Sequence, residues 1–263
     1  LTEGDALARE LLRWFKRAFS WVNKPPCERC PEGRGGRMVP QGMATPTDEE
    51  RAWDAGRVEL YRCGPCGAPA RFPRINHPGK LMETKRGRCG EWANAFTLCC
   101  RAMGLEARYV MDWTDHVWTE IWSDQQGRWL HADSCEEALD KPLMYEQGWG
   151  KKVTYVVAFG RTGIVDVTRR YTRNLYEVLY RRGGGGVLEG FLAHQIKAMD
   201  DAVFSGFSAK FGVEQSTVHC QRKAEEQTEL TAYETASFDI TMLSEEERRG
   251  RISGDAAWKA ARG

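Results

Sequence analysis

The chain has 263 residues, of which 41% are hydrophobic and 29% are charged, a composition typical of a globular protein with a sizeable core. Its 38 Lys and Arg residues nearly balance 37 Asp and Glu residues, so the net charge gives no reason to expect nucleic acid or an acidic membrane as a partner. The sequence has no run of 18 apolar residues, and its first segment is amphipathic and charged. We therefore expect a soluble protein without membrane insertion or an export signal.

The amino-terminal region begins with a predicted helix. Apolar residues recur at steps of three and four from Leu7 to Val22, which is typical of an amphipathic helix. Residues 31–48 are rich in Gly, Pro and Thr and predict an irregular loop. The alternating segments 57–63 and 70–74 predict two short strands after that loop.

Four of the nine cysteines form two Cys-x-x-Cys pairs, Cys27/Cys30 and Cys63/Cys66. A two-residue gap lets one tight turn present two thiolates, and two such turns complete the tetrahedral coordination of zinc. The pairs are 32 residues apart, so the ion would tie a long loop. We predict a structural zinc site, with two unrelated pairs or a redox dithiol as the alternatives. A closed four-cysteine site leaves no open position and would hold structure rather than activate water.

A second group of cysteines lies in RGRCGEWANAFTLCCRAMG, residues 86–104. Its apolar and small residues follow a helical stripe that ends at Gly104. Cys89 falls at the helix start, where unpaired N–H groups and the helix dipole favour a thiolate. Cys99 and Cys100 fall well inside the helix, so we expect them to be buried as small hydrophobic side chains. Cys89 is therefore the candidate nucleophile.

A nucleophilic cysteine needs a base, commonly histidine, which a carboxylate or amide then orients. EARYVMDW, HVWTEIWS and GRWLHADS follow the helix as three predicted strands, and DQQG joins the last two. His116 opens the middle strand and Asp133 ends the next, so antiparallel pairing would place them side by side. We expect His131 to be structural or at the surface. With the later strands VTYVVAFG and IVDVT, the pattern predicts an α+β core in which the cysteine helix packs on an antiparallel sheet.

The carboxy-terminal region is charged and largely helical in pattern after about Tyr171. RRGGGG at 181–186 predicts a flexible joint. We expect the highly charged tail, residues 244–263, to fray. The resulting division of the chain is an N-terminal helix packed on the core (1–26), a zinc-binding lobe (27–80), a catalytic core (81–175) and a mainly helical C-terminal region (176–263).

Several separated motifs resemble the cytoplasmic peptide:N-glycanase family of the transglutaminase-like superfamily. In chain order they are CGPCGAPARFPR, RGRCGEWANAF, DHVWTE, RWLHADSCE and AFGRTGIVDVTRRY. They agree with the family in order and spacing from about Leu7 through Tyr171, and the similarity continues more loosely through the helical remainder. The resemblance implies a transglutaminase-like, papain-type core with a four-cysteine zinc lobe and a helical C-terminal region.

The resemblance also implies an activity. Family members are amidases that cut the bond between an N-linked glycan and an asparagine side chain of a misfolded glycoprotein, converting Asn to Asp in ER-associated degradation. The family's catalytic triad falls on Cys89, His116 and Asp133, and its zinc ligands fall on the four paired cysteines. The family's cleft-lining tryptophan, an oxyanion-side donor, matches Trp21, although Trp14 is close in sequence and Trp is also a good core residue.

The resemblance implies partners and a location as well. Family members bind a ubiquitin-receptor, proteasome-shuttle protein through helices at the two ends of the core, here residues 7–22 and the region beyond about residue 187; the alternative is that these helices only complete the fold. The expected location is the cytoplasm, with the nucleus as a second site. Two other functions stay open: a different thiol enzyme of the superfamily, such as a transglutaminase or cysteine protease, and a catalytically silent adaptor that links misfolded glycoproteins to proteasome-shuttle proteins.

Overall fold

The computed structural model describes residues 3–30, 38–184, 187–235 and 243–254. In chain order the helices and strands are α1 (Glu3–Ala18), β1 (Ser20–Trp21), β2 (Met38–Ala44), α2 (Asp48–Ala52), β3 (Val58–Cys63), β4 (Pro69–Pro73), α3 (Pro78–Thr84), β5 (Arg86–Gly87), α4 (Cys89–Ala102), β6 (Ala107–Asp112), β7 (His116–Ser123), β8 (Arg128–Asp133), β9 (Ala138–Leu139), β10 (Val156–Gly160), β11 (Gly163–Asp166), α5 (Leu175–Gly183), α6 (Glu189–Thr235) and α7 (Glu245–Arg248). A π-helical turn spans Met144–Gly148 and a 3-10 turn spans Thr168–Tyr171. Among these described segments, no helix is both long and apolar enough to cross a membrane.

The main sheet has six antiparallel strands in the order β11–β10–β6–β7–β8–β9. Helix α4 packs on β6 and β7, and α1 packs on α4. Phe15 of α1 meets Trp92 and Phe96 of α4 in edge-to-face contacts, with ring centroids 5.7 and 5.3 Å apart. The predicted α+β class, with the cysteine helix on an antiparallel sheet, is confirmed.

Helix α1 begins and ends earlier than the sequence predicted. The expected helix ran to Val22, but α1 ends at Ala18. The next residues pair instead with another segment: Ser20 and Trp21 form a short parallel ladder with β5. Both Trp21 and Val22 are buried, so they extended the apolar pattern although they are not helical. The ladder places Trp21 beside Gly87, two residues before the start of the cysteine helix.

The predicted zinc-binding lobe contains a second antiparallel sheet, β2–β3–β4. The prediction of an irregular loop over 31–48 is therefore wrong for β2, which pairs with β3 along its length. The register shifts between Pro40 and Gly42, where Gly42 has φ of 99°. Because β2 is an edge strand, it tolerates a proline and a glycine bulge that the sequence alone indicates as loop. Residues 31–37 lie outside the described residues.

The C-terminal region consists of α5, the long helix α6 and a packed tail. Helix α6 is interrupted at Gly212, where φ is 82°, and it packs against β11 and β8. The prediction of a flexible joint over 181–186 is wrong for residues 181–183, which form the end of α5; residues 185–186 are outside the described part. The expectation that the tail frays is wrong up to Gly254, since α7 packs against the π-helical turn and both Leu243 and Ser253 are buried. Residues 255–263 are likewise outside the described part.

Candidate active site

Cys89 is the first residue of α4. Arg88 precedes it in an extended conformation, and the Arg88 N–H donates to the Glu91 carboxylate at 3.0 Å. This bond caps the helix start, so the thiol of Cys89 lies at the positive end of the helix dipole. Cys89 is partly exposed, whereas Cys99 and Cys100 are buried, as the helical pattern predicted.

His116 and Asp133 come together across two neighbouring strands. Thr119 of β7 lies opposite Ala132 of β8, so the start of β7 is beside the end of β8. His116 Nε2 lies 2.7 Å from Asp133 Oδ2, and both side chains are buried. Within the described part of the chain, the other ring nitrogen, Nδ1, has no hydrogen-bond partner. Nδ1 is therefore the ring nitrogen that is available to interact with the Cys89 thiol.

The three groups shift one another's pKa values. Burial opposes a charge on His116, but the Asp133 carboxylate outweighs burial and raises the pKa of His116 to about 9. Burial likewise opposes ionisation of Asp133, yet His116 holds the pKa of that carboxyl below its ordinary value. Burial alone would raise the pKa of Cys89; the interaction with His116 lowers it overall, although no hydrogen bond of normal geometry joins the two residues. The mutual interaction therefore favours the thiolate form of Cys89 and the imidazolium form of His116.

Asp133 binds three partners besides His116. Its Oδ1 accepts the N–H groups of Cys135 and Glu136 at 2.7 and 3.3 Å. Its Oδ2 accepts the hydroxyl of Tyr145 at 2.9 Å. Tyr145 belongs to the π-helical turn and was missed in the sequence, because MYEQGWG has neither strand alternation nor a recognisable motif.

Aromatic rings enclose the histidine. The ring centroids of Trp149, Tyr145 and Trp118 lie 4.9, 5.3 and 5.8 Å from that of His116. Trp118 and Tyr145 are fully buried and stack on each other at 4.3 Å. This packing restricts the imidazole to one orientation and keeps water from the His116–Asp133 hydrogen bond, which strengthens it.

Two arginines connect the lobe that contains the β2–β3–β4 sheet to the start of α4. Arg74, which follows β4, donates to both oxygens of Glu91 at 2.5 and 2.8 Å. Arg88 donates to both oxygens of Glu59 in β3 at 2.8 and 2.6 Å. Burial opposes ionisation of Glu59, but its partners, Arg88 first, lower its pKa to about 2. The lobe therefore helps to fix the position of Cys89, a role that the sequence did not indicate for Arg74 or Glu59.

The four paired cysteines form one cluster, and their ligand atoms all lie within 4.8 Å of one another. Two of the sulfur–sulfur distances are 3.5 Å, for Cys27 and Cys66, and 3.7 Å, for Cys30 and Cys63. A tetrahedron with metal–sulfur bonds of about 2.3 Å has sulfur–sulfur edges of about 3.8 Å. The segment after β1 and the β3–β4 turn thus assemble a site that could hold a metal ion.

Trp21 lies beside the segment that leads into the cysteine helix. In the β1–β5 ladder it is opposite Gly87, two residues before Cys89. Its indole N–H donates to Asn23 Oδ1 at 2.9 Å, so this donor is already engaged in the structure. The oxyanion-side role of Trp21 stays a prediction.

The C-terminal strap, residues 249–254, is anchored next to the triad. Both oxygens of the buried Glu136 accept backbone N–H groups of the strap, from Ile252 at 3.0 Å and from Ser253 at 2.8 Å. The backbone N–H of Glu136 itself donates to Asp133. The turn that carries Asp133 therefore also holds the strap.

The strap runs from the histidine side of the site to the cysteine side. The Arg251 guanidinium lies 5.0 Å from the ring centroid of Trp149, which flanks His116. Three residues later, a Cβ placed on Gly254 would lie 3.6 Å from Trp21 Nε1. The strap thus passes beside both tryptophans that flank the site, a position that the charged, polar tail did not indicate in the sequence.

The fold is of the transglutaminase-like class: a helix that begins with a cysteine packs on an antiparallel sheet that carries a buried histidine–carboxylate pair. The profile of the transglutaminase-like superfamily matches residues 37–134, and that of the Rad4 transglutaminase-like domain matches residues 107–207.

Curated relatives specify the family. Each is a peptide-N(4)-(N-acetyl-beta-glucosaminyl)asparagine amidase. The protein of Saccharomyces cerevisiae is 41% identical over 269 residues, covering 98% of this chain and 70% of that protein. The protein of Gallus gallus is 48% identical over 265 residues, covering 100% and 38%, and that of Arabidopsis thaliana is 54% identical over 177 residues, covering 67% and 24%. The chain belongs to this amidase family, and it spans less than two fifths of the length of the last two relatives.

Proposed function

We propose that this protein is a peptide:N-glycanase that removes N-linked glycans from misfolded glycoproteins in ER-associated degradation and converts the glycosylated Asn to Asp. The observation that carries the proposal is the juxtaposition of Cys89, His116 and Asp133 in a chain that aligns with an amidase over 98% of its length. The lowered pKa of Cys89 and the raised pKa of His116 give the nucleophile and the acid the charges that amide cleavage needs.

In the first step, the Cys89 thiolate attacks the carbonyl carbon of the asparagine side-chain amide. The carbon–nitrogen bond then breaks, and the His116 imidazolium transfers its proton to the departing glycosylamine. The acyl group stays on Cys89 as a thioester. Asp133 keeps the imidazole oriented and stabilises its charged form before the proton leaves.

In the second step, water resolves the thioester. Neutral His116 accepts a proton from water as the oxygen attacks the acyl carbon. The carbon–sulfur bond breaks, the peptide leaves with an aspartate, and the thiolate–imidazolium pair is restored. The same histidine thus acts as acid in one step and base in the next.

Both steps create a negative oxygen that requires preorganised donors. The backbone N–H of Cys89 lies in the first turn of α4, where helical N–H groups have no partner within the helix. We assign the Trp21 indole N–H as the second donor, which would exchange its bond to Asn23 for one to the oxyanion. Trp21→Phe keeps an aromatic ring and removes the donor, so it should lower kcat more than it raises KM.

We assign zinc to the cluster of Cys27, Cys30, Cys63 and Cys66, because four thiolates in a tetrahedron suit this ion and leave it no open position. Zinc supplies no chemistry to the substrate in this arrangement. It would hold the β2–β3–β4 sheet, from which Arg74 and Glu59 reach the start of α4. The metal content of the purified protein tests the assignment, and a protein that is folded and active without metal would refute it.

The proposed substrate is an unfolded glycoprotein, because an extended chain is needed to bring an asparagine into the cleft between the zinc lobe and the core. The test compares a denatured N-glycoprotein with its native form, using wild type and Cys89→Ala. We expect mass spectrometry to detect glycan loss and Asn-to-Asp conversion only with wild type and mainly on the denatured substrate. Equal rates on both forms would refute the substrate class.

The same experiment separates the alternatives. If the wild type leaves a denatured glycoprotein unchanged but binds a proteasome-shuttle protein, the adaptor function replaces the enzyme. If it instead cleaves or crosslinks unglycosylated peptides, the protein is a different thiol enzyme of the superfamily.

We also propose a ubiquitin-receptor, proteasome-shuttle protein as partner. Leu188 and Phe191, at the start of α6, are 81% and 58% exposed, and Trp14 in α1 is 40% exposed; such side chains favour an interface. Leu188→Asp with Phe191→Asp should abolish binding and keep deglycosylation. Val213→Asp, which changes another exposed apolar residue further along α6, is the matched control. The proposed location is the cytoplasm, with the nucleus as a second site, and fractionation of cells tests it.

A further inference from the structure

A buried tyrosine shares the carboxylate oxygen that binds His116. Asp133 Oδ2 lies 2.9 Å from the Tyr145 hydroxyl and 2.7 Å from His116 Nε2. All three side chains are buried, so water does not weaken either bond. The strength of the Asp133–His116 pair therefore depends on the second donor.

The hydrogen bonds around Tyr145 determine that its hydroxyl donates to Asp133. The backbone N–H of Lys141 donates to His131 Nδ1 at 3.3 Å. Burial lowers the pKa of His131 to about 4, so the ring is neutral and carries its proton on Nε2. That nitrogen lies 2.6 Å from the Tyr145 oxygen and donates to it. The tyrosine oxygen accepts from His131, and its own proton points to Asp133.

The ring of Tyr145 is held in this position. It stacks on Trp118 at 4.3 Å and meets Trp149 edge to face at 5.0 Å. Burial, together with the nearby Asp133 charge, raises the pKa of Tyr145 well above its ordinary value. The hydroxyl therefore stays protonated, and His131 is a buried structural residue with a defined tautomer.

We propose that Tyr145 and His131 are positioning residues that limit how strongly Asp133 holds the proton of His116. The inference rests on the function proposed above for the triad. A second donor on Oδ2 takes up part of the carboxylate charge and so weakens its attraction for the imidazolium. His116 has to release this proton to the leaving glycosylamine, and a carboxylate without Tyr145 would retain it.

Tyr145→Phe tests the proposal because it removes the hydroxyl and keeps the ring. We expect the alkaline limb of the pH profile, where His116 loses its proton, to move up by about 1 pH unit. The maximal deglycosylation rate should fall about 10-fold with little change in KM, because proton transfer and not binding is affected. The acidic limb should stay in place, since Cys89 ionises beside a charged His116 in both proteins.

The pH profile is measured in two ways. One is kcat/KM on a denatured N-glycoprotein. The other is the rate of Cys89 alkylation by iodoacetate, quantified on the Cys89 peptide by mass spectrometry, which requires no glycan; this rate falls as His116 loses its proton, because the imidazolium attracts the carboxylate of the reagent. A wild type that fails to deglycosylate while its alkylation profile shifts on Tyr145→Phe would overturn the proposed function and support this inference.

Tyr171→Phe is the matched control. The Tyr171 hydroxyl is also buried, but it donates to Glu120 at 2.7 Å and belongs to no bond with Asp133. We expect this variant to lose stability but to keep both limbs of the wild-type pH profile. Identical profiles for folded Tyr145→Phe and the wild type would overturn the proposal, as would an equal shift in both variants.

The wild type gives an independent measurement if a variant does not fold. Nitrogen-15 NMR of the His131 ring should report a neutral imidazole with its proton on Nε2 at neutral pH. A neutral ring with its proton on Nδ1 would reverse the bond to Tyr145 and overturn the proposal.

Discussion

Replacing Glu226 with alanine should destabilise the fold because it leaves two buried arginines short of partners. Glu226 of α6 accepts two bonds from Arg108 of β6, at 3.0 and 2.5 Å, and one from Arg170 at 3.0 Å. All three residues are buried. Arg170 retains Glu120 and Glu229 as partners, whereas Arg108 retains only its contact with Glu120 among the described carboxylates.

The expected loss in the free energy of unfolding depends on the partners that the two arginines retain. Removing one partner of a buried ion pair typically costs about 3–5 kcal/mol. Because Glu120 continues to neutralise both arginines, we expect the lower end, about 3 kcal/mol. Glu226→Gln keeps the shape and an acceptor oxygen, so its cost should be about 1–2 kcal/mol.

Urea unfolding followed by circular dichroism measures the loss. Glu225→Ala is the matched control, since Glu225 precedes Glu226 in α6 and its carboxylate bonds to Gln221 on the surface; its cost should stay below about 0.5 kcal/mol. A Glu226→Ala protein as stable as Glu225→Ala would refute the reasoning that the buried network joins α6 to the sheet.

Three further predictions concern the site. The pKa of His116 is raised to about 9, above its unfolded value. The stability that the imidazolium charge contributes is therefore present below pH of about 6.5 and lost as pH rises through about 9. The deglycosylation rate should fall over the upper part of this pH range, and a rate that keeps rising above it would contradict the role of charged His116. Cys63→Ser should lower the metal content measured by elemental analysis, and full metal occupancy would argue against four-sulfur ligation. Gly148→Ala would bring a Cβ against the carbonyl oxygens of Arg249 and Glu247. Limited proteolysis should therefore cut the strap faster in this variant than in the wild type. Gly250→Ala is the control and should not change cleavage, because a Cβ at that position meets nothing within 4 Å.

The grouping of Cys89, His116 and Asp133 could be predicted because the three residues lie on regular elements with strong local patterns. Helical periodicity separates Cys89 at the helix start from Cys99 and Cys100 in the core. A turn between two alternating segments fixes the antiparallel pairing that brings His116 to Asp133. In each case the spacing along the chain determines the spacing in space, so no long-range information is needed.

The supporting residues could not be predicted because they approach from distant segments without a pattern of their own. Tyr145 lies in an irregular turn, and Arg74 reaches Glu91 from outside the regular strands. The edge strand β2 contains proline and glycine, which indicate a loop unless the partner strand is known. The strap is polar and charged in sequence, and the carboxylate that accepts the N–H groups of Ile252 and Ser253 belongs to Glu136, more than a hundred residues earlier in the chain.

The position of the strap determines where anything that follows it begins. Gly254 lies against Trp21, so a segment joined to the strap begins beside Trp21, next to the proposed substrate cleft. A carboxy-terminal affinity tag or fusion partner would therefore be tethered where the proposed glycoprotein substrate has to approach. A tag on α1 starts from the opposite end of the chain and is the better choice for activity measurements. In longer proteins of this family, a domain appended after this segment would be held close to that site by chain connectivity alone.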